Sequence, residues 1–382
     1  MAAAYDVIVL GTGGVGSAAC WQLAKRGARV LGLDRFPAGH DRGSSHGRTR
    51  IIRQAYFEHP DYVPLLLRAY QLWAELEAES GQSLLHEVGL LQVGPPEGLV
   101  VPNVLRSAAL HHLSVDRLAA GELRRAFPQF AVEDGWQGAF EQRAGLLLVE
   151  DCVRAMLDQA ARHGAALRTD QTIVRWTVAE KEVQVETTTD VFRAPRLVIA
   201  AGAWSAELLH GLQIPLTVRR QPQFWFPSHD PRYQASHGCP TFLFETPSGV
   251  YYGFPDLLGW GVKVACHSRG EAVADPLAVD RRMHSADVAD AARFLECCLP
   301  GVERRPSEHA VCLYTMSPDE NFLVDRHPAA AEVCFAAGLS GHGFKFTSVL
   351  GAALADLALE GQTALPIAFL SARRFANGAL GS

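Results

Sequence analysis

The amino-acid sequence predicts a mixed α/β protein, in which a doubly wound nucleotide-binding domain is interrupted twice by a second, sheet-based domain. Three observations support this prediction. A strand, a glycine-rich turn, a helix and a second strand follow one another at the start of the chain. Strand–helix segments return in the middle and at the end, and two strand-rich blocks separate them. We therefore assign residues 1–84, 150–217 and 319–382 to the first domain, and residues 85–149 and 218–318 to the second.

The first strand–helix–strand unit is the most clearly defined. The segment Asp6–Leu10 is short, apolar and β-branched, as a buried strand is. Small and apolar residues at helical spacing predict a helix over Gly14–Arg26, and Gly27 ends it. The segment Arg29–Leu33 is the second strand of the unit.

Between this first strand and helix the chain carries a dinucleotide-binding motif. Residues Gly11–Gly16 read G-x-G-x-x-G, and such glycines permit a tight turn and a close approach of the backbone to a ligand. The helix that follows presents free N–H groups and a positive dipole end to a pyrophosphate. Asp34 ends the second strand, about 20 residues on, where an acid accepts hydrogen bonds from a ribose and disfavours a 2′-phosphate.

The later elements follow from the same patterns. Phe36–Gly47 is rich in Gly, Ser, His and Arg and is predicted to be a loop, and Pro95, Pro96 and Pro102 mark a surface connection. The predicted helices are Tyr62–Ser80, Leu118–Phe127, Asp151–His163, Asp287–Leu295 and Phe344–Leu359. The predicted strands outside the strand-rich stretch Val218–Thr315 are Val88–Val93, Ala166–Thr169, Ile173–Thr177, Val183–Thr187, Leu197–Ala201 and Glu332–Ala337.

Composition and charge exclude several classes of protein. The chain has 382 residues, of which 48% are hydrophobic and 20% are charged, which suits two packed cores. The formal net charge is -6, whereas nucleic-acid-binding proteins normally carry a basic surplus. The eight cysteines contain no C-x-x-C pair, so no metal site is expected.

The ends of the chain carry no recognisable targeting segment. Met1–Leu10 has no basic stretch followed by an apolar one, and Leu380-Gly381-Ser382 is not a peroxisomal signal. No apolar run is long enough to cross a bilayer. We therefore expect a reduced, cytoplasmic protein that has no membrane partner.

Two more segments favour FAD over NAD as the dinucleotide. Leu197–Ala201 is an apolar strand that ends in the small-residue turn Gly202-Ala203-Trp204, as where a flavoprotein chain returns to its nucleotide fold. The segment Gly338–Lys345 again lies between a strand and a helix. Its glycines allow backbone contact with a flat ring, and the helix N-terminus can stabilise negative charge on a reduced flavin.

Five further features span nearly the whole chain, namely Gly43–Arg53, Tyr251–Pro255, Lys263 with His267, Val311–Thr315 and Ser340–Phe346. In their order and spacing they resemble the monomeric sarcosine oxidase family, whose members include sarcosine, N-methyltryptophan, pipecolate and fructosyl amino acid oxidases. The resemblance implies an FAD domain of the glutathione-reductase and D-amino-acid-oxidase type, with an inserted antiparallel-sheet substrate domain. It also implies a monomeric oxidase that converts a small secondary amino acid to an imine, which is hydrolysed to an aldehyde and an amine, while O2 becomes H2O2.

The same resemblance implies the cofactor residues. Cys312, in the segment Cys312-Leu313-Tyr314-Thr315, would carry the flavin through an 8α-thioether, with Arg50 or Lys345 favouring the thiolate. The cofactor-binding residues are then Gly11, Gly13, Gly14, Val15, Gly16, Asp34, Arg35, Ser44, Ser45, His46, Thr49, Arg50, Arg53, Gly202, Trp204, Cys312, Tyr314, Gly341, His342, Gly343, Phe344 and Lys345.

The resemblance also implies residues for substrate and oxygen. Arg50 and Lys345 would bind the substrate carboxylate. Lys263 would stabilise the negative charge on oxygen as it is reduced. The remaining substrate residues are Tyr252, His267, Tyr56 and Leu243, and the catalytic set is Lys263, His267, Tyr252, Arg50 and Lys345.

Two departures from the family pattern leave the preferred substrate open. Arg48 stands where the sarcosine oxidases have an acid, and we expect an extra cation near the flavin. Leu243 stands where an active-site methionine is expected and would reshape the pocket.

Three other functions remain as alternatives. The first is a non-covalent D-amino-acid or glycine oxidase, which would not need the Cys312 segment. The second is an NAD-dependent dehydrogenase, which would need neither Lys263 nor the loop Gly341–Lys345. The third is a non-catalytic dinucleotide-binding protein.

Overall fold

The computed structural model describes residues 4–375. The C-terminal tripeptide Leu380–Ser382, and residues 1–3 and 376–382 of the predicted nucleotide-binding domain, lie outside the described residues. Within the described part of the chain, no helix is long and apolar enough to cross a membrane.

The secondary structure contains helices in both predicted domains and many short strands. The α-helices are α1 Gly14–Lys25, α2 Val63–Ser80, α3 Val100–Leu110, α4 Ala120–Ala126, α5 Val149–Arg162, α6 Ser205–Leu208, α7 Ser285–Cys298 and α8 Thr347–Glu360. The strands are β1 Val7–Leu10, β2 Val30–Leu33, β3 Thr49–Ile52, β4 Leu85–His86, β5 Leu90–Gly94, β6 Asp116–Ala119, β7 Gln137–Glu141, β8 Gly145–Leu148, β9 Ala166–Arg168, β10 Ile173–Ala179, β11 Glu182–Thr187, β12 Val191–Ala194, β13 Arg196–Ile199, β14 Thr217–Phe226, β15 Thr241–Thr246, β16 Gly249–Phe254, β17 Val262–Cys266, β18 Glu271–Val273, β19 Glu308–Met316, β20 Leu323–His327 and β21 Ala330–Ala337.

The first layer is a six-stranded sheet in the order β20-β21-β13-β1-β2-β9. All its pairings are parallel except that of the edge strand β20 with β21. Helices α1, α5 and α8 pack on one face, where Trp21 is fully buried, and the hydrophobic residues of β10, β11 and β12 cover the other. Parallel strands covered on both faces read as continuous apolar runs, which is why β1 and β13 are recognisable in the sequence.

The second large sheet has nine strands, and it combines the two strand-rich blocks of the sequence. Its order is β18-β14-β17-β16-β15-β5-β7-β6, with β19 also paired to β14. Phe242, Phe244 and Tyr251 on one face pack against α7. Leu243 and Tyr252 belong to the other face and to a separate hydrophobic cluster. The predicted mixed α/β class with an inserted sheet is confirmed, while the domain boundaries stay a prediction.

Two elements differ from the sequence prediction. Leu118 belongs to a strand that pairs with Gly138, and the helix predicted from this residue begins only at Ala120. Helix α3 occupies much of the stretch predicted as a proline-marked connection. Pro102 lies in its first turn, where a residue without an N–H group is tolerated, so the proline did not exclude a helix.

Candidate active site

One continuous cavity connects the glycine-rich turn with the nine-stranded sheet. Most of the residues predicted from the sequence line it, namely Gly11, Gly13, Gly14, Val15, Asp34, Arg35, Ser44, Ser45, Arg50, Arg53, Gly202, Trp204, Leu243, Tyr252, His267, Cys312, Tyr314, Gly341, His342, Gly343, Phe344 and Lys345. The remaining predicted residues are not among its lining residues, namely Gly16, His46, Thr49, Tyr56 and Lys263.

The turn at the start of α1 has the backbone geometry that the motif predicts. Gly11 has a φ of 82°, and a Cβ atom there would lie 2.6 Å from the carbonyl oxygen of Ala200. A Cβ atom on Gly16 would overlap the carbonyl oxygen of Gly11. The carboxylate of Asp34 accepts a hydrogen bond of 2.6 Å from the backbone N–H of Thr12, so the acid also holds the turn in place.

Several polar atoms along the cavity fit a long polar ligand such as FAD. Among the described residues, buried side-chain atoms that line the cavity and have no hydrogen-bond partner are Trp204 Nε1, Thr315 Oγ1, Thr347 Oγ1 and Arg53 Nε. Buried polar groups are nearly always paired, so these atoms indicate a partner that the chain itself does not supply. Together with the helix terminus at Gly14, they fit the pyrophosphate, ribityl and ring parts of a flavin dinucleotide.

The thiol of Cys312 lies beside a buried guanidinium group. Arg50 Nη2 is 3.1 Å from Cys312 Sγ and donates a hydrogen bond of 2.9 Å to the carbonyl oxygen of Ser44. Cys312 Sγ is itself 3.3 Å from that same carbonyl. The three groups are in mutual contact, so a positive charge stands next to the sulfur atom that the family resemblance singles out.

Lys263 is buried behind the turn that carries Gly47. Its ammonium group donates hydrogen bonds of 2.6 Å to Gly47 O and 2.9 Å to Thr49 O. It also lies 5.2 Å from the ring of Trp225 and 4.9 Å from the ring of Phe254. Burial, reinforced by the neighbouring guanidinium of Arg50, holds the pKa of Lys263 well below its usual range.

Lys345 lies at one end of a chain of hydrogen bonds that passes through Tyr56 and His342. Its ammonium group donates to His342 O at 2.7 Å and lies 3.5 Å from the hydroxyl of Tyr56. His342 Nε2 is 3.1 Å from the carbonyl oxygen of Glu320, which can only accept, so Nε2 carries the proton. The hydroxyl of Tyr56 therefore donates to His342 Nδ1, at 2.6 Å. Tyr56, which we predicted at the substrate, lies behind Lys345 and fixes its surroundings.

One wall of the cavity is aromatic. His267 Nδ1 is 3.5 Å from the hydroxyl of Tyr314, and its ring centroid is 6.4 Å from that of Tyr252. Burial lowers the pKa of His267 to about 4, so its ring is neutral at pH 7. Leu243 is paired with Tyr252 across strands β15 and β16, which sets it on the same wall.

Some residues of the site escaped the sequence prediction. Glu58 lines the cavity and forms an ion pair of 2.6 Å with Arg53. Burial acts to raise the pKa of Glu58, but the guanidinium of Arg53 outweighs it, and the pKa is lowered to about 2. Glu150 accepts a hydrogen bond of 2.7 Å from the backbone N–H of Gly47. Both acids lie near segments of the family pattern, but nothing in their spacing indicates these partners.

Arg48 and His46 are not among the residues that line the cavity. Arg48 forms an ion pair of 2.7 Å with Glu308, and its guanidinium lies 5.0 Å from the rings of both Trp225 and Trp260. Glu308 therefore neutralises the charge of Arg48, and neither residue lines the cavity. His46 is buried, and burial together with Arg50 lowers its pKa to about 3. Among the described residues, no group of His, Cys, Asp or Glu is arranged to hold a metal ion.

The chain is similar to known flavin-dependent oxidases. Residues 6–357 match a family model described as FAD dependent oxidoreductase. The monomeric sarcosine oxidase of Streptomyces avermitilis is 43% identical over 98% of this chain and 99% of its own length. The N-methyl-L-tryptophan oxidase of Yersinia pestis is 35% identical, over 97% and 99%. NikD, an unusual amino acid oxidase essential for nikkomycin biosynthesis, has a similar structure with a TM-score of 0.85 and 25% identity, covering 97% of both chains.

Proposed function

Because the chain belongs to the monomeric sarcosine oxidase family of FAD-dependent oxidoreductases, we propose that it oxidises the C–N bond of a small secondary amino acid, such as sarcosine or another N-methyl or cyclic imino acid. FAD supplies the two-electron chemistry when it is bound. The product imine hydrolyses to an aldehyde and an amine, and dioxygen takes up the two electrons as H2O2.

This proposal rests on one observation: a single cavity has one end that suits a dinucleotide and another that suits an amino acid. One end carries the glycine-rich turn and Asp34, which suit a dinucleotide. The other end brings the cations Arg50 and Lys345 together with the neutral, aromatic wall of Tyr252 and His267. A carboxylate held by cations, next to an apolar wall, is what a zwitterionic amino acid with an N-alkyl group requires.

We assign the steps to residues as follows. Arg50 binds and orients the substrate carboxylate through its planar guanidinium, and Lys345 adds a second charge. Tyr252, Leu243 and His267 exclude water from the reacting carbon. We expect the amine to release its proton to water as it enters this cationic site and to react as the neutral base.

We further propose that Cys312 holds the cofactor covalently. The sulfur of Cys312 would replace one hydrogen on the 8α carbon of the flavin, and the thiol would give up its proton. This attachment is a two-electron oxidation, for which one dioxygen would serve as oxidant and leave as H2O2. The contact of 3.1 Å between Arg50 Nη2 and Cys312 Sγ supports this, because a cation stabilises the thiolate.

Three measurements on the purified enzyme test the proposal. A flavin absorption band that bleaches under nitrogen when an N-methyl amino acid is added supports the activity, and a colourless protein refutes it. A panel of sarcosine, N-methylalanine, proline, pipecolate and larger N-alkyl amino acids, read by peroxide release, then ranks the substrates. Turnover of D-amino acids or glycine in preference to the N-alkyl panel would favour the alternative oxidase class.

The covalent link and the oligomeric state have their own tests. After acid precipitation, yellow colour in the protein pellet supports the thioether, and colour only in the supernatant refutes it. A Cys312→Ser variant should release its flavin in the same assay. We also propose that the enzyme acts as a monomer, as the relatives' names state for them, which light scattering in solution will check.

A further inference from the structure

A single arginine outside the cavity joins the cofactor loop to the strand that carries the thiol. Arg281 Nη1 donates hydrogen bonds of 2.8 Å to both Asp41 O and Val311 O, and Nη2 donates one of 2.6 Å to Arg42 O. Asp41 and Arg42 belong to the loop between β2 and β3, and Val311 directly precedes Cys312 in β19. One guanidinium therefore satisfies three backbone carbonyls on two separate segments.

The turn that presents Arg281 is itself held in place. Arg220, only 3% exposed, donates hydrogen bonds of 2.8 Å to the carbonyl oxygens of Asp280 and Arg282, on either side of Arg281. The ring Nε2 of His309 is 3.1 Å from the carbonyl oxygen of Arg281 and donates to it. Arg220 and His309, both in the nine-stranded sheet, thus hold the backbone of residues 280–282 in place, and this fixes the position from which the side chain of Arg281 extends.

The inner end of the same loop meets the thiol directly. The hydroxyl of Ser44 donates to the carbonyl oxygen of Leu313, and Arg50 contacts both Ser44 O and Cys312 Sγ. The loop is therefore connected to β19 on both sides of Cys312. Arg281 links it to Val311, and Ser44 bonds directly to Leu313. The sulfur atom lies between these two fixed points.

We propose that Arg281 is a positioning residue for flavin attachment: by pinning residues 41–42 to Val311, it holds Cys312 where its thiol can add to the 8α carbon. This inference rests on the thioether proposed above. Bond formation between held groups depends steeply on geometry, and a displacement of about 1 Å can cost roughly 100-fold in rate. Arg281 does not line the cavity, so it acts through the loop and the strand.

The test follows the rate of attachment rather than turnover. Protein produced under riboflavin limitation is mixed with excess FAD, and flavin fluorescence that stays with acid-denatured polypeptide is recorded over time. For Arg281→Met we expect attachment at least about tenfold slower than in the wild type. Arg281→Lys should be intermediate, because an ammonium keeps the charge but cannot span three carbonyls.

The neighbouring Arg282 provides a matched control. Its side chain, which is 86% exposed, pairs only with the Asp280 carboxylate among the described residues, so Arg282→Met should attach flavin within about twofold of the wild-type rate. Quenching of FAD fluorescence before denaturation, and thermal unfolding, show that each variant is folded and binds the cofactor.

Each outcome decides the proposal. Wild-type kinetics in Arg281→Met, or equal slowing in Arg282→Met, would overturn it. If Arg281→Met does not fold, Arg281→Lys decides in the same way. Wild-type protein that releases all its flavin in acid would refute the thioether itself and the role of Arg281 with it, and this result differs from the others because the wild type alone gives it.

Discussion

Replacing Lys263 by methionine should separate the two halves of the catalytic cycle. The ammonium group is fully buried and lies between Gly47 O and Thr49 O at 2.6 and 2.9 Å. Methionine has nearly the same length but no charge. Flavin reduction by the substrate should change little, whereas reoxidation by O2 should become much slower, because the residue acts on the negative charge that dioxygen gains with its first electron.

The expected size follows from electrostatics. A unit charge about 4 Å from another contributes roughly 4 kcal/mol at an effective dielectric constant of about 20. Since each 1.36 kcal/mol corresponds to about tenfold in rate, the reoxidation rate constant should fall by about 100- to 1,000-fold. Stability should change little, because Gly47 O keeps the N–H of Thr49 at 2.8 Å and Thr49 O keeps Arg50 Nη1 at 2.9 Å, and removing a buried ammonium offsets part of the lost hydrogen bonding.

Stopped-flow measurements of each half-reaction give the answer. Burial lowers the pKa of Lys263, and the protonated form is the active one, so wild-type reoxidation should slow as the pH rises through that lowered pKa. The variant should lack this pH dependence. Equal slowing of reduction and reoxidation, or a variant that keeps the wild-type pH dependence, would refute the assignment.

Three further changes test other parts of the site. Arg50→Met should raise the KM for an N-methyl amino acid about 10- to 100-fold through the loss of charge-assisted hydrogen bonds, whereas Arg48→Met, whose charge is already paired, should not; equal KM values would contradict the carboxylate site. Gly16→Ala should yield folded protein without flavin absorbance, because its Cβ overlaps the carbonyl of Gly11, and normal cofactor content would contradict this. The pKa of His267 is lowered to about 4, so this ring gains charge only as the pH falls below that value. His267→Asn should therefore keep the shape of the kcat/KM profile between about pH 6 and 9, and the loss of a break near neutral pH would contradict a neutral ring.

The nucleotide-binding half could be predicted because its physics is local. The glycines, the helix terminus and Asp34 lie within one strand–helix–strand unit, and the parallel strands are continuous apolar runs. The second half was recognisable only as a series of strands. Its strand order, and the face on which Leu243 and Tyr252 lie, depend on pairing between β5 and β15, whose paired residues are 151 positions apart in the sequence.

The partners of the site residues were the hardest to foresee. Arg53 was predicted to bind the cofactor, but its ion pair with Glu58 depends on how the intervening chain turns back. We expected Arg48 to place an extra cation near the flavin, because the charge of this residue can be read from the sequence but its partner cannot. Glu308, 260 residues away, neutralises it through the pairing of β19 with β14.

Because β1 is central in the parallel sheet, the site is complete only when strands from late in the sequence have joined it. Its neighbours are β2 and β13, and β13 in turn pairs with β21, which ends at Ala337. The last cavity-lining residues, up to Thr347, follow directly. A nascent chain emerging from the ribosome therefore exposes its glycine-rich turn long before the strands and loop that complete the cofactor cavity are made. FAD can therefore bind only late in synthesis, since almost the whole polypeptide must be made before its cavity is complete.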